Sequence, residues 1–226
     1  SSSTHRRRNV DHRQPHERSS IGSVAMTLRI VVLASGGGSN LQAIVDACAA
    51  KVIEAKVVGV ATDNPSAFAI QRAANHQIDT AVVTPLDNEA RTSFDSRLAT
   101  TISQWRPELV VLAGFMRKLS VSFIQHFPNN IINLHPAMPG QLPGINAIER
   151  AFREFAAGNR SSSGVMVHYV PDEGIDTGPV IASMPVVFEE HDTLHDFEQR
   201  MHAAEHQLLI SAIRTIISQR QKVTTP

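Results

Sequence analysis

Residues 28–44 read Leu-Arg-Ile-Val-Val-Leu-Ala-Ser-Gly-Gly-Gly-Ser-Asn-Leu-Gln-Ala-Ile, and this stretch decides the fold class. An apolar β-branched run without alternation is the pattern of a strand buried on both faces, as in a parallel sheet. It breaks at Ser35-Gly36-Gly37-Gly38-Ser39-Asn40 and passes directly into residues of helical period over 40–50. A glycine-rich strand-to-helix turn aims backbone N–H groups and the positive end of a helix dipole at one place, which suits an anion, most often a phosphate. Such a turn also occurs simply to let helix and strand pack. The loop lacks the Gly-Lys-Ser/Thr ending of a nucleoside triphosphate loop and the third glycine of the dinucleotide fingerprint, so ATP and NAD are both disfavoured.

Outward from this turn, short apolar runs alternate with helical stretches, the signature of βαβ units. Strands are expected over 28–34, 55–61, 80–83, 109–113, 131–134, 165–170 and 180–188. Helices are expected over 40–50, 67–76, 88–104, 120–127, 147–157 and from 193 to about 218, with a Pro/Gly-rich loop at 136–144. The fold class is therefore α/β: a single-domain, open, mostly parallel twisted sheet with helices on both faces and a Rossmann-like N-terminal half. No internal repeat or linker divides it. Residues 27–220 form the expected domain, 1–26 a disordered basic extension with no assigned function, and 221–226 a frayed tail.

Lys plus Arg and Asp plus Glu number 21 each, so overall charge calls for neither a nucleic-acid nor a membrane partner, and small-molecule substrates are the default. No apolar run approaches the ~20 residues that span a bilayer. The single cysteine, Cys48, fits a buried thiol in a reducing compartment. The expected location is cytoplasmic, as a monomer or weak homodimer. The histidines are scattered and no Cys/His cluster occurs, so no metal is expected. His76, His126, His191, His195 and His206 read as surface residues.

Two further segments carry chemistry. Asn133-Leu134-His135-Pro136 closes a predicted central strand, where open α/β sheets gather ligands, and alternation puts Asn133 and His135 on one side. An amide donor beside an imidazole suits a carbonyl that becomes tetrahedral; a turn-capping Asn and a packed ring would leave the same trace. Pro171-Asp172-Glu173-Gly174-Ile175-Asp176-Thr177-Gly178-Pro179 follows the strand carrying His168. One carboxylate there could orient His135 and accept a proton; solvated acidic turns look alike, and the spacing is too short for an EF-hand.

With Val110-Val111-Leu112-Ala113-Gly114-Phe115-Met116-Arg117, these segments resemble, in order and from about 28 to 218, the phosphoribosylglycinamide formyltransferase family of folate-dependent enzymes. The resemblance implies the formyltransferase fold and transfer of a formyl group from 10-formyltetrahydrofolate to the glycine amine of glycinamide ribonucleotide, in purine synthesis. It implies that Asn133 and His135 polarise the formyl carbonyl and that Asp176 assists proton movement. Gly38, Ser39 and Asn40 would hold the acceptor phosphate, with Glu205 and His202 on the ribose side. Met116, Arg117, Lys118 and Leu119, with Pro171, Asp172, Glu173, Gly174, Ile175 and Asp176, would surround the pterin, Asn133 would touch the folate, and Arg91 with Arg117 would meet its glutamate tail.

The chain departs from the family pattern at Lys118, where an apolar residue is usual; at Asn146, where many members carry histidine; in the proline spacing after His135; and at Gly174, which lengthens the loop before Asp176. A formyl-folate hydrolase, a methionyl-tRNA formyltransferase and a sugar-nucleotide formyltransferase share parts of the pattern but normally carry additional segments. A non-catalytic binding module would be expected to lack one member of the catalytic set.

Overall fold

The computed structural model describes residues 27–224, so the expected basic extension lies outside them. The elements run β1 (Leu28–Leu33), α1 (Ser39–Ala49), β2 (Ala55–Thr62), α2 (Phe68–Asn75), β3 (Thr80–Val82), α3 (Arg91–Ser103), β4 (Leu109–Leu112), α4 (Val121–Ile124), β5 (Ile131–His135), α5 (Ala147–Ala156), β6 (Ser162–Tyr169), β7 (Val180–Val187) and α6 (Leu194–Thr224). They build one seven-stranded sheet of order β3-β2-β1-β4-β5-β6-β7. The first five strands pair parallel, whereas β5 with β6 and β6 with β7 pair antiparallel. The strand order reverses between β1 and β4, and ligands bind at such a switch point.

Alternation assigns each strand's two faces to different cores. Ile30, Val32, Val111, Ile132 and Leu134 pack with α1, α5 and α6, while Val31, Leu33, Val110, Leu112 and Ile131 pack with α3 and α4. The expected layers, with helices on both faces, are therefore present. By alternation Asn133 and His135 follow Ile131 on the α3/α4 face, Asn133 level with Leu112, the last β4 residue, and His135 beyond it.

Strand β6 begins at Ser162, three residues ahead of the expectation, and three helices differ from it for local reasons. Helix α3 starts at Arg91 because Asn88 sits at φ 58° and Glu89 folds back, accepting from Leu86 N at 2.9 Å. Helix α4 is a single turn, with 125–127 in turn conformation. Helix α6 runs past 218 to Thr224, so 221–224, read as frayed tail, continue it; Arg220 secures this end by donating to Glu108 O at 3.1 Å and Asn130 Oδ1 at 2.7 Å. Of the histidines expected at the surface, His206 is half-buried, and burial lowers its pKa. Desolvation pushes the half-buried Cys48 thiol up to about 11, a bond with the Val57 backbone opposing it, so the thiol stays protonated and unreactive.

Gly59 is the tightest packing constraint on β2: a Cβ there would overlap the Trp105 indole, which lies on the bare backbone. Gly59→Ala is expected to destabilise the fold by about 1–3 kcal/mol through overpacking. Chemical denaturation checks this, and an unchanged midpoint would show that the indole moves aside at no cost.

Candidate active site

The turn after β1 is fastened by its carbonyls. Gly36 O accepts from Ala69 N at 3.1 Å and Gly37 O from Arg72 Nε at 2.8 Å, both on α2. Among the described residues no protein acceptor takes the N–H groups of Gly36, Gly37, Gly38 or Ser39, which are left to face a ligand. Gly38 caps α1 at φ 69°, and a Cβ there would meet Ala69 Cα at 2.9 Å, so both backbone angle and space demand glycine. Asn40, in the first turn of α1, donates to Glu205 Oε2 at 3.3 Å, while its own Oδ1 is buried without a partner. Glu205 is itself buried and holds His202 Nδ1 at 2.9 Å. That contact, foremost, raises the His202 pKa and favours a positive ring beside the loop. The expected acceptor-side residues are thus brought together.

At the end of β5, Asp176 gathers four groups. Asn133 Nδ2 donates to Oδ1 at 3.0 Å and Gly144 N to Oδ2 at 2.8 Å. His135 Nδ1 lies 3.4 Å from Oδ2 and His168 Nε2 3.5 Å from Oδ1. Burial alone would raise the Asp176 pKa; the His168 ring, the Gly144 N–H and the His135 ring outweigh it and hold the group below its ordinary value, as the carboxylate. His135 moves the same way for a different cause: burial of the ring prevails over the Asp176 charge and the Leu142 carbonyl, and its pKa falls below the ordinary 6.5. The resting site therefore pairs a neutral imidazole with a carboxylate at neutral pH.

His168 was quoted in the sequence only as part of a strand, yet it belongs to this cluster. Its buried ring lies 3.2 Å from Asn133 Nδ2 and bonds Tyr169 O through Nδ1 at 2.8 Å. No motif marks it: His168 joins the site because it stands opposite Asn133 in the β5–β6 register, where its side chain shares that face. The Asn133 amide, expected to point at a substrate oxygen, is turned toward Asp176 and His168 in this state.

One cavity of about 610 Å³ is lined by Gly36–Asn40, His202 and Glu205, by Asn133, His135 and Asp176, and by 112–119. That volume suits a drug-sized ligand or two joined substrates. Asp172, Gly174 and Ile175 line it, as does Asn146, which stands at φ 56° where α5 begins. Exposed Met116, Ile145 and Ile175 give it apolar lips, and Lys118 sits on the wall with an exposed side chain. Arg91, Pro171 and Glu173 do not line it. Arg91 Nη2 instead meets Glu173 Oε2 at 2.8 Å, and Glu173 Oε1 accepts from Val121 N at 2.7 Å, tying the 171–176 loop to the starts of α3 and α4. Among the described residues, no group of three or more His, Cys, Asp or Glu is placed to hold a metal ion, and no helix is long and apolar enough to cross a membrane.

A family model described as formyl transferase matches residues 28–213. The phosphoribosylglycinamide formyltransferase of Dictyostelium discoideum is 38% identical over 205 residues, covering 84% of this chain and 98% of that protein. Its Schizosaccharomyces pombe counterpart is 40% identical over 205 residues, covering 85% and 99%. Among solved structures, phosphoribosylglycinamide formyltransferase from Bacillus halodurans superimposes with a TM-score of 0.80 at 31% identity, covering 88% of this chain and all of that one. Glycinamide ribonucleotide transformylase 1 from Symbiobacterium toebii gives a TM-score of 0.80 at 36% identity, covering 86% and 89%. With a family model that matches 28–213 and relatives aligned along most of their length, the chain belongs to the formyl transferase family, among the phosphoribosylglycinamide formyltransferases.

Proposed function

We propose that the chain transfers the formyl group of 10-formyltetrahydrofolate to the glycine amine of 5′-phosphoribosylglycinamide, yielding formylglycinamide ribonucleotide and tetrahydrofolate. One observation carries the reading: a single cavity holds both an unpartnered glycine-rich anion cradle and the Asn133, His135 and Asp176 cluster. Phosphate on the cradle N–H groups, ribose toward Glu205 and a positive His202 would deliver the acceptor amine to that cluster. The folate lies against Met116–Leu119 and the 172–176 loop, with Arg117 toward its carboxylates. Arg91 and Glu173 act at the margin, as a clasp on that loop. The half-buried, protonated Cys48 fits the cytoplasmic setting such an enzyme would have.

The amine nitrogen attacks the formyl carbon, forming a C–N bond and an oxyanion. Asn133 and His135 face that oxygen, and Asp176 takes the proton released by the nitrogen, directly or through water. The bond from the formyl carbon to folate N10 then breaks, and N10 leaves with a proton. In the resting state His135 Nε2 is occupied by Leu142 O at 3.1 Å, so release of the 136–144 loop frees the ring for substrate. Catalytic hydrogen bonds commonly tighten only once substrate is present.

The direct test incubates the protein with 10-formyltetrahydrofolate, with and without the ribonucleotide, and follows deformylated folate. Release only with acceptor supports transfer; release without it indicates hydrolysis, and no release in either case removes the reading. His135→Ala and Asp176→Ala are each expected to lower turnover by about 10²-fold or more in a protein that still folds. Asn133→Ala is expected to lose about 3 kcal/mol of transition-state stabilisation.

The acid limb follows from the direction of the His135 shift. Because burial depresses that pKa, the ring becomes protonated only below 6.5, and the rate should hold from neutral pH down to that range before falling. The Asp176 charge raises the His135 pKa, so Asp176→Asn should lower it further. Titration of the ring by NMR in both proteins checks this; a higher pKa in the variant would contradict the assigned electrostatics.

A further inference from the structure

Ser35 is the last residue before the glycine cradle, and its three polar groups make four hydrogen bonds across three loops. Its N–H donates to Gly114 O at 3.0 Å, and its carbonyl accepts from Asn64 Nδ2 at 3.0 Å. Its hydroxyl donates to Asp63 Oδ1 at 2.6 Å and accepts from Met116 N at 2.9 Å. Asp63 in turn faces Arg117, whose Nη1 lies 3.8 Å from Oδ2 and whose guanidinium stacks 4.6 Å over the Phe94 ring. The loops after β1, β2 and β4 meet at one buried hydroxyl. A hydroxyl that both donates and accepts fixes its two partners relative to each other, which an apolar side chain of similar size cannot do.

We propose that Ser35 is a positioning residue that couples the acceptor-phosphate cradle to the folate-facing turn, so that filling either subsite pre-orders the other. The inference rests on the two-substrate reading given above and deepens it. Phosphate on the cradle immobilises the backbone that begins at Ser35. Through the hydroxyl this fixes Met116 N and, by way of Asp63, Arg117. A ligand arriving at 116–119 then meets a turn already ordered, which is positive coupling without any large change of shape.

The experiment is calorimetric titration with tetrahydrofolate, which cannot be turned over, in the absence and presence of saturating glycinamide ribonucleotide. In the unmodified protein the ribonucleotide is expected to tighten folate binding by about fivefold or more, the lower range of measured couplings. Ser35→Ala should bring that ratio to about one, Ser35→Thr should restore it, and Asp63→Asn, which keeps an oxygen for the hydroxyl, should leave it near the original. If Ser35→Ala does not fold, Asp63→Ala replaces it and must lower the ratio as well. A ratio of one in the unmodified protein overturns the proposal. So does a Ser35→Ala protein in which both affinities weaken while their ratio survives, since that marks a merely structural hydroxyl. If the unmodified protein binds neither ligand, the functional reading itself has failed and the coupling falls with it.

Discussion

A carboxylate taken out of water must find polar partners, and Asp176 finds four of them on three different segments. Asn133 lies on β5, His168 on β6, Gly144 in the loop ahead of α5, and His135 at the very end of β5. The residue itself stands at φ 54°, a left-handed conformation that costs a non-glycine residue energy and persists where surrounding contacts overdetermine it. Those contacts are the site. Removing the carboxylate would leave buried donors unpaired on three segments, so the position of every other group in the cluster depends on it.

The sheet supplies the frame in which those segments can meet. Parallel pairing through β5 brings the ends of β1, β4 and β5 to one side, and antiparallel β6 places His168 directly across from Asn133. The loop that leaves β6 then has to double back before β7, which carries Asp176 over the end of β5. That loop is fastened ahead of Asp176: Asp172 Oδ1 accepts from Gly174 N at 2.7 Å, and Glu173 anchors the loop on α4 and Arg91. The loop can therefore hold its carboxylate in place because the residues ahead of it are already fixed.

Much of this was legible in the sequence because it is local. The strand that ends in Ser35-Gly36-Gly37-Gly38 and the alternation of Asn133 with His135 need only neighbouring residues to be read, and the βαβ rhythm fixed the layers. What stayed hidden depends on pairing at a distance. His168 carries no motif of its own and gains meaning only from the register of β6 against β5. Arg91 and Glu173 were both expected on the folate, and only the folded chain shows that opposite charges so far apart in sequence meet each other first. The end of α6 was underestimated for the same reason, since Arg220 finds its acceptors on Glu108 and Asn130, just ahead of β4 and β5. Asn88 is the local exception, a left-handed residue in an otherwise helical pattern that shortens α3 from within.

The resting state of His135 says most about how such a site can accelerate a reaction. Each ring nitrogen faces an acceptor, Asp176 Oδ2 on one side and Leu142 O on the other, yet a neutral ring has only one hydrogen to give. Burial keeps the second proton away and leaves one acceptor short. A proton arriving during reaction would complete both bonds at once, and the Asp176 charge would favour it. The environment is thus better matched to a state that exists only while the substrate is changing than to the state before it, which is the condition under which binding energy speeds chemistry instead of merely holding substrate.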